Sequence, residues 1–226
     1  MRQFTASLVI ASAAGIAAAG VTNPYTEGFE AGANGWTDIA GGALNEVATG
    51  GVDGSAYVNT AYSFNGSADG DLAVLFRGNA PGQNASGGAF AGDWIAGGVT
   101  NLSFDIRHNG PAPLTFFARI ATNTFGAPFP AAVAVNFAPV FAGGFTTVSI
   151  DINPANPAFV TFEESSFETI FSNVGFIQIG VLTPDGFGVN PAEFDFDLDN
   201  VRIVPAPGAF SVLAGLGLAA TRRRRA

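Results

Sequence analysis

The sequence has no cysteine and no lysine, and its only histidine is His108. Without cysteine the chain has no disulfides, no thiolate metal site and no thiol nucleophile. Without lysine it has no G-x-x-x-x-G-K-[ST] phosphate loop. Charge is also scarce, since only 12% of the residues are charged. The sequence has 18 acidic residues and nine arginines, which gives a net charge of −9. This balance argues against nucleic-acid binding, which requires clustered basic side chains to neutralise phosphates.

The sequence is instead rich in glycine and phenylalanine, with 30 and 22 of its 226 residues. Runs of β-favouring residues alternate with turns rich in Gly, Pro and Asn, and this pattern predicts many short strands. We predict an all-β fold, an antiparallel two-sheet β-sandwich of one domain. Strands are predicted at 55–64, 71–77, 102–107, 113–121, 131–137, 145–152, 175–182 and 193–203.

One short helix is predicted after residue 165. Ser165 precedes Glu168 by the three residues of a capping box, and Phe167, Ile170 and Phe171 fall on one helical face. The helix is expected to pack across one end of the sandwich.

The sequence predicts no catalytic site. It contains no G-x-S-x-G elbow, and any Ser-His-Asp triad would have to use His108. This histidine lies in an Arg-His-Asn-Gly stretch, which predicts an exposed turn residue.

Residues 1–19 have the layout of a secretory signal peptide. Arg2 precedes an apolar run from Phe4 to about Ala14, and Ala17 and Ala19 follow in A-x-A spacing. An N-terminal membrane anchor is the alternative, but the run is shorter than the roughly 20 residues that a span requires. We therefore predict cleavage after Ala19 and export of the domain.

The C-terminal residues 204–226 join a proline motif, an apolar segment and a block of arginines. A short hydrophobic helix is predicted only for residues 209–220, because Pro205 and Pro207 disfavour a helix before them. An apolar segment that ends at a cationic cluster halts translocation and keeps that cluster in the cytoplasm. Twelve residues are short for a permanent span, so the segment suits transient retention.

This tail resembles a PEP-CTERM sorting signal, which membrane-embedded exosortases recognise in bacteria. Ala206 stands where the family has Glu, so Pro-Ala-Pro replaces Pro-Glu-Pro. The resemblance implies export, brief retention at the inner membrane, cleavage by an exosortase-type protease, and delivery to the cell surface or the extracellular matrix. The alternative is an ordinary single-span tail anchor. The residues that carry the resemblance are Pro205, Ala206, Pro207, Arg222, Arg223, Arg224 and Arg225.

The body, residues 20–203, resembles laminin-B-type and carbohydrate-binding-module-like jelly rolls. The segments that carry this resemblance are 28–36, 50–57, 102–107 and 196–203. It implies a sandwich in which the first and last strands meet, and in which a structural Ca²⁺ ion is often held at that place.

In residues 193–199, four acidic side chains alternate with three apolar ones, so the acids share one face of a strand. Val201 and Ile203 have the parity of the acids, which predicts either a bulge near Asp199–Asn200 or an inward Asp199. A buried carboxylate needs a partner, and Ca²⁺ binds such oxygens. The alternative is a solvated acidic face. By the resemblance, the candidate metal ligands are Glu30 and Asp199, with Asp197 or Asp53 as additions.

The same acids fit two other sites poorly. An EF-hand loop needs Gly at its sixth position, where this sequence has Asn200. A retaining glycosidase needs two catalytic carboxylates about 5 Å apart, which leaves glycoside hydrolysis a remote alternative.

Exposed aromatic rings can stack on sugars, and four are candidates for glycan binding. These are Trp94, Tyr62, Trp36 and Tyr57. The favoured function is a non-catalytic exported surface or matrix protein, and the alternative is a calcium-stabilised module that binds exopolysaccharide. All 18 acids lie between Glu27 and Asp199, and the delivered domain has only four arginines, so it carries a net charge of −14.

Overall fold

The structure is a computed structural model that describes residues 21–78, 84–122, 130–135, 138–163 and 165–205. The predicted signal peptide, the apolar C-terminal segment and the arginine block lie outside these residues. In the described ranges, no helix has the length and apolar character needed to cross a membrane.

The predicted β-sandwich is confirmed: the described strands form two antiparallel sheets packed face to face. The first sheet has the order β2-β3-β11-β5-β8, with β1 also paired to β11. Its strands are β1 (Tyr25–Glu27), β2 (Asn45–Val47), β3 (Tyr57–Ser63), β5 (Val99–His108), β8 (Thr146–Asp151) and β11 (Glu193–Pro205).

The second sheet has the order β4-β10-β6-β7-β9. Its strands are β4 (Leu72–Arg77), β6 (Phe116–Thr122), β7 (Ala131–Val135), β9 (Phe159–Thr161) and β10 (Val174–Leu182). The three-residue strands β1, β2 and β9 were not predicted, because so short a run carries no alternating pattern of its own.

The core lies between the sheets and is built by alternate residues of each strand. On β5, Phe104 and Ile106 are fully buried, while Arg107 points outward. On β11, the predicted inward residues 194, 196 and 198 are buried and Asp195 is exposed. Two polar-tipped rings, Trp36 and Trp94, also lie in the core.

Of the two alternatives predicted for β11, the bulge is present. Asn200 has a φ of 47°, and the pairing with β5 shifts register between Asp199 and Arg202. Beyond this bulge Val201 and Ile203 face the core with no exposed surface. The first and last strands meet as the resemblance implied, since β1 pairs with this part of β11.

The predicted helix is present as α1 (Phe167–Phe171), with a different cap. Ser166, one residue after the predicted Ser165, accepts a hydrogen bond from the backbone N–H of Thr169. The apolar face points inward, and Phe171 packs on Trp94 with 5.9 Å between ring centroids.

The prediction that His108 is exposed is wrong. It is the last residue of β5 and is 2% exposed, with its ring against Phe116 and Phe196. The turn begins one residue later, at Asn109, so the strand carries His108 into the edge of the core.

Candidate functional site

A polar cleft of about 610 Å³ opens on the outward face of the first sheet, where β3, β11 and β5 lie side by side. Strand pairing places Asp197 of β11 opposite Asn59 of β3 and opposite Arg107 of β5. Alternation along each strand turns these side chains outward while their neighbours enter the core. The polar and aromatic residues that line the cleft include Tyr57, Asn59, Arg107, Asn109, Asp195 and Asp197.

Asp197 is the central side chain of the cleft, and both of its carboxylate oxygens are occupied. Arg107 Nε donates to Oδ2 at 2.6 Å, and Asn59 Nδ2 donates to Oδ1 at 2.7 Å. Burial alone would lower the pKa of Arg107, but the hydrogen bond and charge of Asp197 outweigh it and raise that pKa above its ordinary value. The guanidinium therefore stays charged and fixed in place.

Arg107 is also held by two aromatic rings. Its guanidinium carbon lies 5.0 Å from the ring centroid of Tyr57 and 4.4 Å from that of Phe145. These distances are within the range of cation–π contacts. Its Nη1 further donates to the carbonyl of Gly50 at 3.3 Å. Tyr57 and the guanidinium line one wall of the cleft, and Phe145 packs on both of them.

The other end of the cleft is formed by Asn109 and Asp195, which bond to each other twice. Asn109 Nδ2 donates to Asp195 Oδ2 at 2.7 Å, and the backbone N–H of Asp195 donates to Asn109 Oδ1 at 2.9 Å. Both side chains are exposed, so their remaining hydrogen-bonding capacity faces the open cleft.

His108 lies beneath the cleft and is held as a neutral ring. Its Nδ1 accepts from the backbone N–H of Gly110 at 3.1 Å, so Nε2 carries the proton and donates to the carbonyl of Val140 at 3.0 Å. Burial lowers the pKa of His108, although the bond to Val140 opposes the shift. The ring is a structural support rather than an exposed acid or base.

The four predicted sugar-stacking residues lie in different environments in the structure. Tyr57 is half-buried and lines the cleft, whereas Tyr62 lies on the opposite face of β3 and packs on Phe64, 5.3 Å between centroids. The prediction is corrected for Trp36 and Trp94, which are 1% and 0% exposed. A ring with no accessible face cannot stack on a sugar.

The two tryptophans instead stabilise the core through their polar tips, as buried indoles usually do. Trp36 Nε1 donates to Ser86 Oγ at 2.9 Å, and Trp94 Nε1 donates to the carbonyl of Phe90 at 2.8 Å. The Ser86 hydroxyl in turn donates a hydrogen bond to the buried carboxylate of Glu27 at 2.7 Å.

A second polar group surrounds Asp199, which has no exposed surface. Its Oδ2 accepts from Val52 N at 2.9 Å and from Ser55 Oγ at 3.0 Å, and its Oδ1 accepts from Asn200 N at 2.7 Å. Burial raises the pKa of Asp199, nearby Asp105 adds to the rise, and these three hydrogen bonds oppose it. In the part of the chain that the structure describes, no arginine bonds to this carboxylate.

The oxygens around Asp199 converge beside Gly51. A Cβ at Gly51 would lie 2.7 Å from Asp199 Oδ2, 2.8 Å from Ser55 Oγ and 2.9 Å from the carbonyl oxygen of Ala56. Glu30 reaches the same loop, because its Oε1 accepts from Ala56 N at 3.2 Å. An all-oxygen donor set around a buried, unneutralised carboxylate fits Ca²⁺.

The other two predicted metal ligands lie apart from this group. Asp197 faces the cleft and is bound by Arg107 and Asn59, and Asp53 is exposed in the Val52–Gly54 turn. Across the described ranges, no group of three or more acidic or histidine side chains is placed to hold a metal. Any cation at Asp199 would depend on backbone carbonyl and hydroxyl oxygens in addition to carboxylates.

Sequence reasoning missed the residues that complete the cleft, above all Asn59 and Arg107. Arg107 and Asp197 are 90 positions apart, and only the register of β5 against β11 brings them together. The alternating acids of β11 did signal that its outward face is polar, but carried no information about the strands beside it.

The fold and this cleft define a jelly-roll β-sandwich with a polar, aromatic-walled cleft on one sheet. No protein-family model matches the chain, and no curated protein matches it. Among solved structures, it is similar to part of a chain that holds the CBM22-1 and GH10 modules of endo-1,4-β-D-xylanase 10B from Clostridium thermocellum, with 17% identity and a TM-score of 0.50. It is similar to an exo-β-agarase with 11% identity and the same TM-score.

These likenesses concern the fold. Each match covers 82% of this chain, but only 29% of the xylanase chain and 26% of the agarase chain. The chain therefore corresponds to less than a third of each of these proteins.

Proposed function

We propose that this protein is an exported, non-catalytic β-sandwich that binds a polysaccharide through the cleft around Arg107 and Asp197. The cleft itself carries the proposal, because it joins a half-buried aromatic ring to convergent carboxylate, amide and guanidinium groups. Sugars offer apolar ring faces and many hydroxyls, and a site of this composition complements both.

The fold supports the same class of ligand. The xylanase modules were solved in complex with xylohexaose, and the other similar structure is an enzyme that acts on agarose. These two sugars are therefore the first probes to test, since both are neutral chains. The net charge of −14 on residues 20–203 disfavours polyanionic chains by repulsion.

The occupied carboxylates support a binding rather than a hydrolytic role. A retaining glycosidase requires one carboxyl as nucleophile and a second as acid, both facing the scissile bond. Asp197 has one oxygen bound by Arg107 and the other by Asn59, and Asp195 is bound to Asn109. The two carboxylates are therefore not free to act as a catalytic pair.

We propose export and sorting from the two ends of the sequence. Residues 1–19 would act as the signal peptide, and an exosortase-type protease would process the tail at Pro205-Ala206-Pro207 after Arg222–Arg225 halt translocation. Intact-mass analysis of the protein secreted by a bacterium with an exosortase tests both steps. A secreted protein that retains residues 209–226 would contradict the processing step.

We propose that Ca²⁺ binds at Asp199, with Glu30, Ser55 and the carbonyl of Ala56 as further oxygen ligands. A bound cation would neutralise the buried carboxylate and link the 51–56 loop to β11. The proposed role is structural, because Asp199 has no exposed surface and is covered by the 51–56 loop, which bonds to it through Val52 and Ser55.

The glycan proposal is tested by calorimetry on the purified full chain in mild detergent, titrated with xylohexaose and with agaro-oligosaccharides. Tyr57→Ala is expected to weaken binding at least tenfold, about 1.4 kcal/mol, because it removes a cleft wall. Phe141→Ala is the matched control, since this ring is 66% exposed and does not line the cleft. Absence of binding to every neutral polysaccharide tried would overturn the proposal.

A further inference from the structure

Both ends of the described chain lie against one short stretch, residues 97–101. At the beginning, the Val21 side chain lies against Gly97, and Asn23 Nδ2 donates to the Gly97 carbonyl at 2.8 Å. At the end, Pro205 is paired with Val99. The apolar segments predicted on the two sides of the domain are therefore both connected to the same end of the sandwich.

The connection to the C-terminal segment is short. Four peptide links join Pro205 to Ala209, where the apolar run begins. A fully extended chain spans at most about 3.6 Å per residue, so these links reach no more than about 14 Å. Any bilayer that holds residues 209–220 must lie within that distance of Pro205.

This end of the domain also carries an apolar groove of about 690 Å³. Two of the large hydrophobic side chains left exposed by the fold belong to it, Ile95 at 48% and Val204 at 37%. Other apolar residues that line it are Val99, Ile152, Pro154 and Phe167. These side chains give this end of the domain apolar surface that can contact the interfacial region of a bilayer.

The polar cleft lies at the other end of β5. Val99 marks the end where the chain leaves, and Arg107 is eight residues further along the same strand. At about 3.3 Å per residue, this places the cleft roughly 26 Å from the exit end. That separation exceeds the reach of the connecting links.

We propose that the end formed by residues 94–101, 152–154 and 204–205 is the face that this domain turns toward the membrane, with the cleft directed away from it. The inference rests on the proposed membrane retention of the apolar segments. The groove would then meet the interfacial region of the bilayer through Ile95 and Val204. Because the domain carries a charge of −14, the contact depends on apolar insertion and not on anionic lipid.

The absence of cysteine makes the orientation directly measurable. Ala96→Cys at the exit end and Ala142→Cys at the cleft end each introduce a single thiol at an exposed alanine. Each full-chain variant is labelled with a fluorophore and reconstituted into phosphatidylcholine vesicles that carry a headgroup-linked nitroxide. We expect strong quenching of the label at residue 96 and several-fold weaker quenching at residue 142.

Flotation of the vesicles is measured first and separates two kinds of failure. If the full chain does not float with the vesicles, the proposed retention by the apolar segments is wrong. The proposal that this end faces the membrane is then wrong as well. If it floats but both labels are quenched equally, or the label at residue 142 more strongly, the orientation alone is overturned. Equal melting temperatures of the two unlabelled variants exclude misfolding as the cause of a difference.

Discussion

Arg107 and Asp197 form an ion pair across the neighbouring strands β5 and β11, with 2.6 Å between Nε and Oδ2. The Asp197 side chain is only 12% exposed and that of Arg107 is 26% exposed. Because the same guanidinium packs on Tyr57 and Phe145, this one contact joins the strand pairing to the wall of the cleft. A change at Arg107 is therefore expected to affect both stability and the proposed polysaccharide binding.

Replacing Arg107 with Lys is expected to weaken polysaccharide binding by about tenfold and to destabilise the fold by about 1 kcal/mol. Lysine keeps the charge but loses the planar fork that reaches Asp197 and stacks on the rings. Calorimetry measures the affinity, and urea unfolding measures the stability.

Arg119→Lys is the matched control for this change. Arg119 also pairs with a carboxylate, on the second sheet, where its Nε and Nη2 donate to Glu163 at 2.9 and 2.7 Å. The Arg119→Lys variant should be less stable than the unaltered chain, while its affinity for the polysaccharide stays unchanged. Equal loss of affinity in both variants would show that Arg107 acts through stability alone.

Calcium is expected to raise the melting temperature of the full chain relative to an EDTA baseline. A ligand at 100 times its dissociation constant stabilises a fold by about 2.7 kcal/mol. Asp199→Asn should abolish the rise, because it removes the buried carboxylate around which the oxygens of Ser55 and Ala56 converge. Differential scanning fluorimetry with and without Ca²⁺ measures the effect.

Asp53→Asn serves as the control for the calcium prediction, since Asp53 is exposed in the Val52–Gly54 turn. It should respond to Ca²⁺ as the unaltered chain does. A melting temperature that Ca²⁺ does not change in the unaltered chain would refute the proposed site.

The strands could be predicted from sequence because their signal is local. In β11, strict alternation of acidic and apolar residues determines which side chains enter the core, and the change of parity at Val201 determines where the bulge falls. The predicted helix was displaced by one residue at its cap, because Ser165 and Ser166 are adjacent and both suit an N-cap.

The cleft could not be predicted, because it depends on register between distant strands. Asn59 and Asp197 are 138 positions apart and become neighbours only when β3 pairs with β11. The burial of Trp94 and His108 was missed for a related reason. The residue type alone is compatible with a place in the core or at the surface. Whether the side chain is buried depends on the packing of elements that are far apart in sequence.

Stability is expected to fall as the pH decreases through the range just below 6.5, because of His108. The folded pKa of this ring is lowered from the ordinary value of 6.5, chiefly by burial. The unfolded chain therefore binds a proton more readily than the folded one, so the contribution is fully present above 6.5 and is lost as the pH falls toward the lowered pKa.

Urea unfolding from about pH 8 to about pH 5.5 measures this dependence. His108→Gln cannot titrate, so its slope of stability against pH should be flatter than that of the unaltered chain. The prediction fails if both proteins show the same slope in this window.

Gly180→Ala is expected to destabilise the sandwich by about 1–3 kcal/mol, the usual cost of overpacking a core. Gly180 lies at the irregularity of β10, between β4 and β6, and a Cβ there would overlap the carbonyl oxygen of Ala73 and lie 2.5 Å from Phe117 Cζ. Gly144→Ala is the control, because nothing lies within 4 Å of a Cβ at that exposed position. Urea unfolding of the two variants should give a clear loss for Gly180→Ala and almost none for Gly144→Ala. Equal midpoints would mean that β10 can shift away from its neighbours, and that the close approach of the three strands does not require glycine.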